Sequence, residues 1–175
     1  KVFKLRNPTD ARNILDFIKE NNPKKAVLIG AGYIGIEAVE ALKKHKIDVT
    51  LIEGTNQLLR GMEDELYELF VEKLKDDNVN IVFNTFVEDI VEKDGLKVVT
   101  ENEIYEPDLV IVAVGVGPNT KFLKNKGLDM LMNGAIKVNE KSETNIPGVY
   151  ACGDCASVKH FITKKDVYIP LGTTA

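Results

Sequence analysis

Residues 26–35, Ala26-Val27-Leu28-Ile29-Gly30-Ala31-Gly32-Tyr33-Ile34-Gly35, read as a strand, a tight turn and the start of a helix. The apolar run before Gly30 has no polar alternation, which suits a parallel strand buried on both faces. From Tyr33 to Lys44 the apolar residues Ile34, Ala38, Ala41 and Leu42 recur at helical spacing. Asp48 to Glu53 is the next strand. Together these segments close a β-α-β unit of about 30 residues, the length a parallel crossover needs.

The turn fits G-x-G-x-x-G, and its context gives the pattern meaning: it follows a strand directly and opens a helix. Gly30 permits the tight turn, Gly32 lets backbone approach a pyrophosphate, and Gly35 removes a side chain where helix and strand must lie close. The unpaired N–H groups and positive end of the helix dipole then face phosphates. Glu53 ends the second strand 18 residues after Gly35. A carboxylate there accepts ribose hydroxyls and repels a 2′-phosphate, so NAD(H) is expected in preference to NADP(H). An S-adenosylmethionine site shares this logic, with a looser loop and without the strands described next.

Working outward, residues 10–20 predict an amphipathic helix (Ala11, Ile14, Leu15, Ile18) with its start signal at Asn7-Pro8-Thr9. Residues 63–78 predict another helix and 79–83 a short strand. Then the period changes: 86–92 and 96–100 read as antiparallel strands joined at Lys93-Asp94-Gly95, with Ile104-Tyr105 as a third. Leu109 to Val114 is a further buried strand, ending at Gly115. The expected fold class is α/β, a Rossmann-like parallel sheet with helices on both faces and an inserted antiparallel β-meander. Past Gly117 the pattern weakens to one short helix within 118–132 and short strands at 136–138 and 149–151. Residues 1–117 are expected to form an NAD(H)-binding domain and 118–175 a segment of another, incomplete domain. The tail after Ser157 shows no period that would bury Ile162, Val167, Ile169 and Leu171, and is expected to be mobile or to borrow contacts from a neighbouring chain.

Lys and Arg number 23 against 27 Asp and Glu, without a basic stripe, which argues against nucleic acid or an anionic membrane as partner. No apolar run is long enough to span a bilayer and no signal peptide is legible. Two cysteines do not make a disulfide scaffold, and a cytoplasmic setting is expected. Because Lys1 opens the chain, it is expected to be a trimmed piece of a longer protein.

Three blocks carry a resemblance: Gly30-Ala31-Gly32-Tyr33-Ile34-Gly35-Ile36-Glu37, Ala113-Val114-Gly115-Val116-Gly117-Pro118-Asn119-Thr120, and Tyr150-Ala151-Cys152-Gly153-Asp154-Cys155-Ala156. With the tail Tyr168 to Ala175, the chain resembles the pyridine nucleotide-disulfide oxidoreductases, in particular the NADH oxidase, NADH peroxidase and coenzyme A-disulfide reductase subgroup. The resemblance implies an NAD domain inserted in an FAD domain, then a dimerisation domain, in a homodimer that passes electrons from NADH through FAD to a small-molecule acceptor. It implies that Tyr33 lies over the nicotinamide pocket, that Glu37 faces the nicotinamide end, and that Gly115 and Gly117 let backbone run close to cofactor. Asp154 would accept a hydrogen bond from the FAD ribitol, whereas Gly172 stands where relatives often have Ala. The first FAD-binding glycine fingerprint and the redox cysteine of the subgroup are not among these 175 residues. The chain alone is therefore expected to bind dinucleotide without FAD and without turnover.

Other readings compete. Cys152 and Cys155 have C-x-x-C spacing, as a thioredoxin reductase-like dithiol would, but they overlap the Gly-Asp that the family uses for flavin. Zinc would need further ligands, and only His45 and His160 exist. A non-catalytic NAD-sensing module explains the glycine loop but not the flavin-like tail. Arg60 and the acidic cluster Glu63, Asp64 and Glu65 read as a solvated loop and first helical turn, with adenine or phosphate as the alternative for Arg60; His45 reads as a helix-end cation, and Lys124 and Lys126 as surface charge.

Overall fold

The buried runs around the glycine turn form the centre of a parallel sheet. In the computed structural model, which describes residues 1–59 and 62–171, β1 (Val2–Lys4), β2 (Lys25–Ile29), β3 (Asp48–Ile52), β4 (Asn80–Val82) and β8 (Leu109–Val112) lie in the order β1-β8-β2-β3-β4. All four pairings are parallel, with Leu28 opposite Leu51 on one side and Ile111 on the other. The crossovers are α1 (Pro8–Asn21), α2 (Tyr33–Lys44) and α3 (Asp64–Asp76). Asn7 caps α1, its side-chain oxygen accepting from Asp10 N at 3.0 Å, with Pro8 in the first turn.

The alternation of strand side chains separates two cores. Ala26, Leu28, Val49, Leu51, Leu109 and Ile111 point to one face, where they meet Ile14 and Ile18 of α1, Ala38, Val39 and Leu42 of α2, and Leu74 of α3. Val27, Ile29, Ile52 and Val110 point to the other, where they meet Leu96 and Val98. That second layer is the antiparallel meander β5 (Val87–Val91), β6 (Lys97–Thr100) and β7 (Ile104–Tyr105). The Rossmann-like parallel sheet and the meander are as expected, but helices do not cover both faces. All three helices pack on one face and the meander seals the other. Strands buried on both sides need a second apolar layer, and Leu96 and Val98 supply it.

Asp108 ties the start of β2 to the entry of β8. Its carboxylate accepts from the backbone N–H of Lys24 at 2.6 Å and of Lys25 at 2.9 Å. These bonds, Lys24 first, hold its carboxyl below the usual carboxylate range. A folded-state pKa below the unfolded one gives stability that is present above the unfolded value and is lost as pH falls through the folded value. Asp108→Ala is therefore expected to cost about 1 kcal/mol at pH 7, a melting-point drop of about 2–4 °C. The gap from the parent chain should shrink below about pH 4. Thermal melts of both proteins at pH 7 and pH 3 test this, and an equal gap at both would refute it.

The chain divides into two compact units, the first Lys1–Gly115 and the second beginning at Val116. The second is mostly irregular. It has 3₁₀ turns at Lys121–Leu123 and Gly153–Cys155 and a hairpin of β9 (Val158–Lys159) and β10 (Asp166–Val167). The strands expected at 136–138 and 149–151 are reduced to isolated bridges, Ile136 to Met130 and Ala156, and Tyr150 to Glu143. Side chains take the place of a ladder there: Ser157 Oγ accepts from Val138 N at 3.2 Å and Asn145 Oδ1 from Asp129 N at 2.9 Å. The tail as far as Leu171 carries a short hairpin that its sequence does not announce. It turns back as a hairpin in which Lys159 and Asp166 pair at 3.0 Å and Tyr168 donates to the Asp154 carbonyl. Phe161 and Ile162 at its turn are exposed, so the hairpin is held by polar pairing rather than by burial of its tip.

Candidate dinucleotide site

In the first unit the chain runs from β2 through α2, β3 and α3 to β4 on one side, while β8 and β1 lie on the other. The strand order thus reverses at β2, and the loops leaving β2 and β8 diverge. In open α/β sheets this crevice outside the carboxyl ends is where ligands bind. A cavity of about 480 Å³ opens there, lined by Gly30, Ala31, Gly32, Glu53, Gly115 and residues of the β4–β5 loop.

The three loop glycines meet different demands. Gly30 has φ +99°, and a Cβ on it would come within 2.5 Å of the Ala113 carbonyl oxygen. A Cβ at Gly35 would fall on the Gly30 carbonyl oxygen, the close helix-to-strand approach expected of that position. Gly32 is otherwise: its φ is −77°, and a Cβ there would meet nothing within 4 Å. The fold does not require glycine at position 32. Gly32 is also the N-cap of α2, and neither a side-chain cap nor an acidic residue occupies the first turn. That end of the helix is a place for an anion.

Glu53 is built into the loop as well as facing the cavity. Its Oε2 accepts from Ala31 N at 2.8 Å, while its Oε1 accepts from Thr55 N at 3.0 Å and Thr55 Oγ1 at 2.8 Å. The carboxylate therefore fixes the glycine turn relative to the end of β3. The sequence points Glu53 to ribose alone; this second task is not legible in it because it depends on a contact 22 residues distant in the chain.

Tyr33 and Glu37 lie one helical turn apart on α2, Tyr33 66% exposed and Glu37 exposed; Ile34 is also exposed and Gly35 is buried. None of these four lines the cavity. Gly115, with φ +104°, does. Gly117 and Asp154 belong to the second unit, where Asp154 is exposed in the 3₁₀ turn. Sequence reading missed Phe86, which is 73% exposed and lines the cavity. The signal available was an aromatic residue set just before a strand, in a loop at the carboxyl edge of the sheet. Arg60 and Gly172 lie outside the described residues.

Cys152 and Cys155 are free thiols, and Cys155 Sγ donates to the Cys152 carbonyl at 3.1 Å. No cluster of three or more potential metal ligands occurs among the described residues, and no helix among them is long and apolar enough to cross a membrane.

Residues 1–172 match the family described as pyridine nucleotide-disulphide oxidoreductase. The chain belongs to that family. It is 38% identical to an NADH oxidase of Methanocaldococcus jannaschii, across 99% of this chain and 39% of the relative. It is 39% identical to a CoA-dependent NAD(P)H sulfur oxidoreductase of Pyrococcus abyssi, across 97% of this chain and 38% of the relative. The chain thus spans about two-fifths of the length of these members of the family. Among solved structures, the water-forming NADH oxidase of Lactobacillus brevis bound to NADH superposes with a TM-score of 0.92 at 32% identity, covering 99% of this chain and 38% of the other. An engineered variant of that oxidase bound to NADPH gives the same TM-score at 33% identity and the same coverage.

Proposed function

We propose that Lys1–Gly115 is the NADH-binding part of an FAD-dependent oxidoreductase, and that the segment from Val116 onward belongs to its FAD domain. The observation that carries this reading is the carboxylate-braced glycine loop at the reversal of strand order, with a position at Gly32 that only a ligand would keep bare. In it, Gly32 and the uncapped first turn of α2 hold the pyrophosphate, Glu53 holds the adenosine ribose, and Gly30 and Gly115 keep the floor free of side chains. Tyr33 and Glu37, exposed on one face of α2, position the nicotinamide end. Asp154 orients the flavin through its ribitol, and the paired cysteines beside it are small packing residues. When bound together, NADH and FAD supply hydride transfer; this chain supplies binding, orientation and exclusion of water. The final acceptor is a small molecule: oxygen, peroxide, or a disulfide such as coenzyme A disulfide, the substrate that the name of a Staphylococcus haemolyticus relative carries. The whole protein is a cytoplasmic homodimer in this reading.

The coenzyme preference rests on Glu53, since the Pyrococcus relative is described as using NAD(P)H. The engineered NADPH-bound oxidase replaces a glycine by alanine and, 18 positions on, an aspartate by alanine; Gly35 and Glu53 stand 18 apart here. Titration of the chain with NADH and NADPH, followed by nicotinamide fluorescence, is expected to show tighter NADH binding. Equal or tighter NADPH binding would overturn the preference, and no binding of either would overturn the site. The chain is also expected to purify without FAD, and stoichiometric flavin in it would count against the division of labour between the units.

A further inference from the structure

The loop between β4 and β5 brings an exposed aromatic ring to the cavity, and neither core uses it. Phe86 is 73% exposed and stands outside both buried clusters. Exposure of this size is ordinary for a surface leucine, but this ring is held on a rigid backing. A Cβ built on Gly54 would lie 2.5 Å from Phe86 Cε1 and 3.0 Å from its Cδ1 and Cζ, so the ring rests against the bare backbone of residue 54. The loop carrying it is fastened to the end of β3, with Asn84 N donating to the Thr55 carbonyl at 3.0 Å and Thr85 N to the Glu53 carbonyl at 3.1 Å. Thr85 Oγ1 donates to the Phe83 carbonyl at 3.0 Å, which closes the turn.

We propose that Phe86 is the platform on which the adenine base of the bound dinucleotide stacks, an inference that rests on the NADH-site reading above. The order of groups along the cavity supports it. Phosphates go to Gly32 and the start of α2, and the ribose to Glu53. A base leaves its ribose on the side away from the 5′-phosphate, so it must lie beyond Glu53. The chain following Glu53 and β4 lines the cavity with Gly54, Gln57, Leu59, Thr85, Phe86 and Val87. Among these the aromatic ring offers the flat apolar surface that a purine prefers, and every base has a π-face to meet it. Gly54 is explained in the same way: its side chain is absent to seat the ring.

The test uses the full chain with Phe86→Ala and Phe86→Trp, probed with NADH, ADP-ribose and reduced nicotinamide mononucleotide, which lacks the adenosine half. Phe86→Ala is expected to weaken NADH and ADP-ribose by roughly 10-fold, the scale of base–aromatic stacking, and to leave the mononucleotide unchanged. Phe86→Trp should keep the affinity. Because the chain has no other tryptophan, quenching of its fluorescence by ADP-ribose would report stacking at position 86 itself. This holds even if the alanine variant does not fold. Unchanged NADH affinity in Phe86→Ala would overturn the proposal, as would tighter binding, which would mean that the ring occupies the place of the base. So would an unquenched tryptophan. If Gly32→Val still abolishes binding in those cases, the site stands and only the role of Phe86 falls. If neither substitution affects NADH, the site itself is misplaced.

Discussion

Gly32→Val is expected to weaken NADH binding by at least about 100-fold, some 2.7 kcal/mol, with the fold unchanged. The expectation comes from the contrast among the three loop glycines. At Gly30 any side chain is opposed twice, by φ +99° and by the Ala113 carbonyl. At Gly35 a Cβ would land on the carbonyl of Gly30. A side chain at either position must first displace backbone of the free chain, so loss of binding there would not isolate a ligand contact. Gly32 has an ordinary φ of −77° and open space where its side chain would be. A valine there meets solvent in the free chain, and in the proposed complex it would meet the pyrophosphate, which the backbone has to approach closely. Circular dichroism and the melting temperature should match the parent chain while the NADH titration goes flat. A folded variant with an unchanged dissociation constant would place the dinucleotide elsewhere.

How much of this could be read from the chain depends on the range of the interactions. The β2–turn–α2 segment was legible because its signals are local: a buried run, glycines at fixed offsets and a helical stripe. The observed α2, Tyr33–Lys44, has the expected limits. β1 was not legible. Its three residues are paired with Val110, Ile111 and Val112, more than a hundred positions away, and at the sheet edge they carry no continuous apolar run. The placement of the meander was half legible: its alternation announced antiparallel strands, but not which sheet face they cover. That is decided by the parity of Val27, Ile29, Ile52 and Val110 against their neighbours. In the second unit the pattern failed because the bonding there is done by single bridges and by Ser157, Asn145 and Asn139 side chains, which leave no periodic trace. At the site, Glu53 was legible as a strand-end acid, whereas its grip on Ala31 and the position of Phe86 needed three dimensions.

Glu53→Ala is expected to reverse the coenzyme preference of the chain. In the proposed site the carboxylate has three effects, and each has its own signature. It accepts hydrogen bonds from the ribose, worth roughly 1–3 kcal/mol for a charged acceptor, so NADH should weaken by about 10- to 100-fold. It repels a 2′-phosphate, and that penalty on NADPH disappears with the charge. It also braces the glycine turn through Ala31 N and the next loop through Thr55, a loss that falls equally on both coenzymes. The difference between the two coenzymes isolates the first two effects from the third. The NADPH-bound engineered oxidase introduces arginines one and seven positions after its removed aspartate. This chain has Arg60 at the second spacing from Glu53 and Gly54 at the first, so Gly54→Arg in the Glu53→Ala background should strengthen NADPH further. Glu53→Gln separates the charge from the brace. Its amide oxygen can still accept from Ala31 N, but its NH₂ cannot accept from Thr55, so it should favour NADPH with less general loss. Parallel titrations of both variants with both coenzymes test the scheme. A folded Glu53→Ala chain that still prefers NADH would remove Glu53 from coenzyme recognition and leave it only as the brace of the loop.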